Sequence, residues 1–148
     1  MMKYELTKET KVWEGRTLYR IRALRSFGVV SAGDLGGYVE SEENLSHEGE
    51  AWVSGAARVC DKAVVSDRAL VSGKAWVGGE ARVIGEAWVC DKAWVGGKAV
   101  VGGEAWVSGA ARVCDKAVVG GEAVVSGAAR VCDKAVVSGA ARVCARPW

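Results

Sequence analysis

The sequence predicts an all-β chain folded as a three-sided solenoid, and a six-residue repeat is the main reason. Ala occupies every sixth position from 51 to 141, and Val follows two places later each time, from 53 to 143. Gly or Asp stands two places after each of these Val residues from 55 to 139. A fixed period of this kind is typical of repeat proteins, in which each repeat packs on its neighbours along one axis.

Strand geometry explains the order of residue types within the repeat. Successive side chains of a strand point to opposite sides, so if Ala51 and Val53 point inward, Trp52 points outward. Gly, and less readily Asp, tolerates positive φ, so the Gly/Asp column predicts a tight corner every six residues. Short strands joined by such corners predict regular hexads over 51–144.

Longer segments that recur without change indicate how many sides each coil has. The segment 51–65 recurs letter for letter at 105–119, an offset of 54, and the segment 110–119 recurs at 128–137, an offset of 18. Both offsets are multiples of three hexads, which favours three hexads in each coil. The segment 126–132 recurs at 138–144 with an offset of 12, so the identities support three sides without requiring them.

The repeat resembles the hexapeptide repeat of left-handed parallel β-helix proteins, the bacterial transferase hexapeptide superfamily. Val53, Gly55 and Ala57 fill the family's aliphatic, turn and small positions. The resemblance implies a left-handed coil, which is unusual because most crossover connections are right-handed. The segments 34–40 and 44–47 also resemble small bacterial and phage proteins that carry a transferase label, although such a label follows the fold and does not settle an activity.

Residues 1–34 lie outside the repeat and predict a small N-terminal β-hairpin cap. Short strands are predicted at 3–6, 11–13 and 17–24, with a turn at Glu14-Gly15. Residues 35–50 continue the hexad frame backward at lower fidelity and predict a degenerate capping coil. In that frame Val39 and Leu45 fall on the Ala column, and His47 falls on the inward Val column. The domain prediction is a cap over 1–34 and a β-helix over 35–148.

Composition favours a soluble, cytoplasmic protein. Half of the 148 residues are apolar, and these are mostly Ala and Val, which suits a narrow prism. Neither a run of about 18 apolar residues nor a signal-peptide segment is present, so no membrane association is expected. The net charge of +2 gives no strong attraction to nucleic acid, and no nucleic-acid partner is expected.

The sequence offers little for catalysis. The resemblance implies a His as general base and a coenzyme A pocket built by a loop that interrupts the coils, but the only His is His47 and the array is uninterrupted. We therefore interpret His47 as a packed cap residue and predict a non-catalytic structural or protein-interaction module without a cofactor. The alternative is an acyltransferase-like enzyme that uses acetyl-coenzyme A at an inter-subunit site around His47.

The five cysteines all follow a Val directly, at the start of a corner. They stand at 60, 90, 114, 132 and 144. They form no CxxC pair and fall on two different edges, so no metal site is predicted. Cys114 and Cys132 lie one coil apart, at a strand spacing of about 4.8 Å, and could touch. The odd number favours free thiols in a reducing compartment, serving as small fillers interchangeable with residues such as Ser54 or Gly78.

The outward column assigns side chains to three faces, because residues 18 apart stack in register. The Trp88 face carries Trp52, Leu70, Trp88, Trp106, Val124 and Arg142. The Trp94 face carries Arg58, Trp76, Trp94, Arg112, Arg130 and Trp148. The valine face carries Val64, Arg82, Val100, Val118 and Val136. We expect cation–π stacking of Arg58 on Trp76 and of Arg112 on Trp94, and the Trp and Arg residues are the candidate binding residues.

Apolar faces of this extent predict contact with another protein. The main expectation is a dimer or trimer of this chain, and a host or phage protein is a further partner. The corners form a lysine edge and a glutamate edge. The lysine edge carries Lys62, Glu80, Lys98, Lys116 and Lys134, and the glutamate edge carries Arg68, Glu86, Glu104, Glu122 and Ala140. Both are interpreted as solvated corners, and nucleic-acid binding along the lysine edge ranks low because neighbouring Asp residues offset its charge.

Overall fold

A computed structural model describes residues 2–145. The chain begins with two long strands, β1 (Tyr4–Trp13) and β2 (Arg16–Ala23), followed by β3 (Leu35–Val39) and a short 3-10 helix at Glu42–Asn44. Sixteen short strands complete the described chain: β4 (Trp52–Val53), β5 (Arg58–Val59), β6 (Val64–Val65), β7 (Leu70–Val71), β8 (Trp76–Val77), β9 (Arg82–Val83), β10 (Trp88–Val89), β11 (Trp94–Val95), β12 (Val100–Val101), β13 (Trp106–Val107), β14 (Arg112–Val113), β15 (Val118–Val119), β16 (Val124–Gly127), β17 (Arg130–Val131), β18 (Val136–Val137) and β19 (Arg142–Ala145).

Every third short strand pairs in parallel, so the coils stack into three sheets. The Trp88 face is the sheet β19-β16-β13-β10-β7-β4, and the valine face is the sheet β18-β15-β12-β9-β6. The Trp94 face is the sheet β5-β8-β11-β14-β17, which β3, β2 and β1 extend at its lower edge. The predicted all-β, three-sided parallel β-helix of about six coils is confirmed, while the left-handed coil stays a prediction.

The inward Ala and Val columns form the core. From Ala51 to Val131 these two columns are at most 3% exposed. Each fully buried Val contributes about 1.5–3 kcal/mol relative to an exposed one, so a core this narrow is stabilised by repetition along the axis. The outward side chains are also in register from coil to coil. Trp88, for example, pairs with Leu70 one coil below and with Trp106 one coil above.

The corners also have the predicted conformation. All of the Gly and Asp corner residues from Gly55 to Gly139 have φ between 56° and 67°. An Asp corner adds a contact that Gly cannot make, because its carboxylate accepts a backbone N–H from the corner one coil later. The N–H of Gly109 donates to Asp91 Oδ2 at 3.1 Å in this way, and that of Asp133 donates to Asp115 Oδ2 at 3.2 Å. Asp corners therefore tie successive coils together.

The N-terminal hairpin continues one sheet of the prism. β1 and β2 are antiparallel around the predicted turn, with Trp13 paired to Arg16. β2 is antiparallel to β3, and β3 lies parallel to β5, so the direction of the sheet changes at β3. The side chains of Tyr4, Leu18 and Ile21 are fully buried within this hairpin layer.

The predicted frame is wrong by two places from Val39 to Ser46, while Gly49 occupies the predicted corner with φ 74°. Val39 pairs with Val59, and Leu45 forms a bridge with Val65, so both occupy the Val column at an offset of 20 and not 18. The regular offset returns at Glu50, whose N–H donates to the carbonyl of Asp67 at 2.8 Å. Two extra residues therefore lie between Ser46 and Glu50, and His47 belongs to this insertion and not to the Val column. Where the repeat is weak, an insertion leaves no periodic signal that locates it.

The described part of the chain contains no helix with the length and apolar character needed to cross a bilayer.

Candidate interaction surfaces

The Trp88 face exposes a stack of two indole rings. Trp88 and Trp106 are 40% and 46% exposed, and their ring centroids lie 5.0 Å apart with an interplanar angle of 3°. Leu70 and Val124, one coil below and one coil above this pair, are partly buried. A shallow groove runs beside the rings along the glutamate edge. Each ring covers one face of the other, and the part of each side chain that stays exposed is available to a partner.

Trp52 does not belong to this exposed stripe, so the prediction that it lies on the surface is wrong. It is only 4% exposed, because the N-terminal segment covers the lowest coil of the Trp88 face. Its ring lies 5.3 Å from that of Phe27 and 6.4 Å from that of Tyr4, both edge to face. A Cβ at Gly36 would approach the Trp52 ring to 2.7 Å, so only Gly allows this close packing. The covering segment lies outside the repeat, which is why periodicity could not predict it.

The lower Trp94 face is a continuous row of contacting aromatic rings and guanidinium groups. The ring of Trp76 lies 4.7 Å from that of Trp94 and 5.3 Å from that of Trp13, which comes from the hairpin. Arg112 lies 5.2 Å over the Trp94 ring, as predicted. Arg58 lies 4.8 Å over the ring of Trp13, so its predicted stacking on Trp76 is wrong. Trp13 was missed because nothing in its own segment places it on the array.

Trp76 also explains why one corner needs Gly before the turn residue. A Cβ at Gly78 would overlap the Trp76 ring, whereas one at Gly96 would make ordinary van der Waals contact with it at 3.4 Å. The prediction that Gly78 is interchangeable with Cys or Ser is therefore wrong. The indole of Trp76 occupies the space that a side chain at position 78 would need.

The upper part of the Trp94 face is open and basic. Arg130 is exposed and pairs in register with Arg112 one coil below. Lower on the same face, Lys74, Lys92 and Glu14 of the hairpin turn line a cleft beside Trp76 and Trp94. Trp148, the last candidate binding residue, lies outside the described residues.

His47 is packed inside the cap. Its Nδ1 accepts the backbone N–H of Lys3 at 3.1 Å, and its ring stacks on that of Tyr4 with centroids 4.2 Å apart. Its Nε2 is enclosed and lies 3.7 Å from a carboxylate oxygen of Glu42. A general base needs a ring nitrogen within hydrogen-bond reach of its substrate, and here both nitrogens face the protein.

Two polar residues of the cap that the sequence did not single out hold this region together. Lys3 is 0% exposed, and its Nζ donates to the carbonyl of Ala51 at 2.6 Å. Burial, and next the nearby charge of Arg25, lowers the pKa of Lys3 to about 8. The buried hydroxyl of Tyr4 donates to the carbonyl of Leu45 at 2.6 Å, and burial raises the pKa of Tyr4 above its ordinary value.

The cysteines divide into one pair and three free thiols. Cys114 and Cys132 are joined by a disulfide, with Cα atoms 4.7 Å apart, so the prediction of five free thiols is wrong for this pair. Cys60, Cys90 and Cys144 are free. Burial, and next the charge of Asp61, raises the pKa of Cys60 to about 11, and burial also raises the pKa of Cys90. Cys60 and Cys90 are therefore protonated near neutral pH and act as small packing residues.

The valine face carries a regular aliphatic stripe. Val100 pairs with Val118, and Val118 pairs with Val136, so the three side chains lie one above another. Val118 is 36% exposed and Val136 is 65% exposed. Below them Arg82 interrupts the stripe, and its strand position is exposed. The lysine edge borders this face on one side and the glutamate edge borders it on the other, because the chain enters β12 from Lys98 and leaves it toward Glu104.

Fold and surfaces together define the class of protein: a three-sided parallel β-solenoid with exposed aromatic and aliphatic stripes. A comparison with protein-family models and with curated proteins finds no match for this chain. The likeness to hexapeptide-repeat proteins therefore stays a prediction. The function proposed below therefore rests on the contacts and exposed surfaces of this chain's own residues.

Proposed function

We propose that this chain is a non-catalytic structural or protein-interaction module. It is a rigid β-helix that works in the cytoplasm of a bacterium, or is encoded by a phage, and self-associates through its outward Trp, Val and Arg faces. A host or phage protein is a further partner. The hexapeptide-repeat family to which it is similar supplies the expectation of a dimer or trimer, and the surfaces supply the physical reason.

The exposed Trp88–Trp106 stack is the observation that carries this proposal. Two adjacent indole rings, each at least 40% exposed, are costly to leave in water, and Trp is favoured as an anchor of protein interfaces. The stack rests on strands that pair with both neighbouring coils, so it is presented without the ordering cost of a flexible loop. A rigid, partly apolar surface of this kind supports binding to another protein.

The chemistry of the polar residues supports a non-catalytic role. His47 uses its Nδ1 to accept the N–H of Lys3 within the cap. Cys114, Asp115 and Cys132 come close enough together to hold a metal, but the disulfide consumes both thiolates that such a site would need. The acyltransferase alternative, which needs His47 as a base, gains no support from these contacts.

The test is the solution mass of the full chain, measured by light scattering on a sizing column at micromolar concentration. We expect the mass of a dimer or trimer, and a monomer contradicts self-association. The double variant Trp88→Ala with Trp106→Ala reports on the Trp88 face, and Arg112→Ala with Arg130→Ala is the matched control on the Trp94 face. If the oligomer persists in both double variants, its contact lies on the valine face or at an end.

A further inference from the structure

The disulfide between Cys114 and Cys132 lies where two copies of one tripeptide stack on each other. The tripeptide Cys-Asp-Lys occurs four times, at 60–62, 90–92, 114–116 and 132–134. Above the first two cysteines, the positions one coil later hold Gly78 and Ser108. Within residues 2–145, the last two copies are therefore the one place where two cysteines of this tripeptide lie in register.

The backbone holds this pair of cysteines in place whether or not the sulfurs are bonded. The N–H of Cys114 donates to the carbonyl of Val131 at 2.9 Å, and the N–H of Lys116 donates to the carbonyl of Asp133 at 2.8 Å. These hydrogen bonds lie on both sides of the pair and belong to the regular parallel stacking of the coils. The two Cα atoms, 4.7 Å apart, therefore stay at the strand spacing when the disulfide is reduced.

A carboxylate lies beside the two sulfurs. An oxygen of Asp115 and the sulfurs of Cys114 and Cys132 lie within 4.8 Å of one another. The Oδ2 atom of Asp115 accepts the N–H of Asp133 at 3.2 Å, which keeps the carboxylate at this corner. Both cysteines are half-buried and Asp115 is exposed, so an ion and a water molecule can reach the three side chains.

Two thiolates and one carboxylate match a tetrahedral zinc ion that keeps one water molecule. Zn–S bonds of about 2.3 Å and Zn–O bonds of about 2.0–2.2 Å place the ligand atoms about 3.5–3.8 Å apart. The sulfurs reach this separation by rotation about their Cα–Cβ bonds, without movement of the coils. Thiolate ligands favour zinc, whereas Mg²⁺ and Ca²⁺ prefer oxygen ligands. The three side chains therefore select a thiophilic ion.

The charges around the two cysteines make cation binding depend on their redox state. Asp115 and Asp133 stand beside Lys116 and Lys134 at the same two corners. The formal charges of these four residues cancel, so the two thiolates balance the charge of a divalent ion. In the disulfide form neither thiolate exists, and the four side chains have no net charge that attracts a cation. We therefore expect zinc to bind the reduced chain and not the oxidised chain.

We propose that Cys114, Cys132 and Asp115 form a zinc site in the reduced chain, in place of the disulfide. A dithiol reductant supplies two electrons and two protons, which break the S–S bond and give two thiols, while the dithiol becomes a cyclic disulfide. Zn²⁺ then binds both sulfurs, and the two thiol protons pass to water. The corners after β14 and β17 are thus joined in both forms, by a covalent bond when oxidised and through the ion when reduced. The site does not depend on the proposed self-association.

Metal titration of the full chain tests the site. A variant with Cys60→Ser, Cys90→Ser and Cys144→Ser keeps only the paired cysteines. A phosphine reduces the disulfide and is removed without oxygen, and Co²⁺ is then added, because cobalt in a tetrahedral thiolate site absorbs visible light. We expect one Co²⁺ per reduced chain, displaced by Zn²⁺ and not by Mg²⁺, in this variant and in the unsubstituted chain, and no such absorption in the oxidised variant. Adding Asp115→Asn should weaken binding about tenfold or more, since loss of even an outer-shell partner costs that much.

The matched control keeps Cys60 and Cys90 and carries Cys114→Ser, Cys132→Ser and Cys144→Ser. It has the same number of thiols and of Cys-Asp-Lys tripeptides, but they are not stacked, so it should not give the cobalt spectrum. Zn²⁺ should raise the melting temperature of the reduced pair variant and leave that of the control unchanged. Equal binding by the control, or no binding by the reduced pair, overturns the site. A solution mass that doubles when metal is added also overturns it, because the ion then joins two chains.

Discussion

Lys3 shows how a single residue fixes the start of the array. Its Nζ donates to the carbonyl of Ala51, the first residue of the regular hexads, and lies 4.9 Å from the centroid of the Phe27 ring. A buried ammonium loses hydration that one carbonyl and one ring replace only in part, which is why the pKa falls. Lys3 therefore positions the cap at a cost that depends on pH.

We predict that the free energy of unfolding contributed by Lys3 rises with pH. Folded Lys3 loses its proton near pH 8, whereas the unfolded side chain keeps it to about pH 10.5. Between these values the unfolded state binds more protons, so stability increases as the pH rises. The parent should gain about 2–3 kcal/mol relative to Lys3→Met between pH 8 and 10.5. Urea titrations of both proteins across this range measure the difference.

Other groups that titrate in this range do not affect the comparison. The raised pKa of Cys60 and that of Tyr4 make the fold less stable at high pH, but both residues are present in the parent and in Lys3→Met. Their contributions cancel in the difference. A difference between the two proteins that is independent of pH would show that Lys3 is charged and hydrated in the folded state.

Among the elements, the hairpin of β1 and β2 is the one whose position depends on side chains far away in sequence. Its tip is held by Trp13, which packs on Trp76, and by Arg16, whose guanidinium lies 2.7 Å from a carboxylate oxygen of Asp61. The guanidinium of Arg58 lies over the ring of Trp13, 4.8 Å from its centroid. These contacts join the tip to the first two coils, beyond the backbone pairing of β2 with β3.

We predict that Trp13→Ala loosens the hairpin tip and leaves the coils intact. Loss of the ring removes the packing on Trp76 and the cation–π contact with Arg58, about 1–3 kcal/mol of local stability. Hydrogen exchange should become faster at the amides of β1 and β2 near the turn and stay unchanged at Val101. Trp106→Ala is the control, because its ring lies on the exposed Trp88 face and does not touch the hairpin. Equal exchange at the tip in both variants would show that backbone pairing alone holds the hairpin.

The whole molecule is stabilised by repetition, so a defect in the middle of the array affects both halves. Val101 is fully buried in β12, while Val100, the preceding residue, points outward on the valine face. The core around Val101 consists of Ala and Val side chains, which offer no hydrogen-bond partner to a charge. Each coil packs only on its neighbours, so the coils above and below depend on this contact.

We predict that Val101→Asp prevents folding and that Val100→Asp does not. An unpaired buried carboxylate costs about 3–5 kcal/mol or more, a large part of a total stability of about 5–15 kcal/mol. The outward Asp at 100 stays hydrated, because its side chain points away from the core. Far-UV circular dichroism and thermal melting of the two variants and the parent measure the effect. A melting curve of Val101→Asp that matches the parent would refute the inward assignment of this column.

The regular coils could be predicted from the sequence because their rules are local and repeat every six residues. Alternation of inward and outward side chains follows from strand geometry, and positive φ at Gly and Asp follows from sterics. These two rules give the buried Val and Ala columns, the corners, the three faces and the stacking of Trp94 with Arg112. Because the six-residue period has no insertion over 51–144, each of these assignments holds from coil to coil.

Only the tertiary structure decided what the non-repeating segments do. It covers Trp52 with Phe27 and Tyr4, inserts Trp13 between Arg58 and Trp76, and places His47 against Lys3 in a two-residue insertion. It also turns the closeness of Cys114 and Cys132 into a disulfide. Periodicity fixes which side of a strand a residue occupies, but it contains no information about which distant segment packs on that side. That choice depends on shape and hydrogen bonding between residues remote in the chain, which form only when the cap meets the first coils.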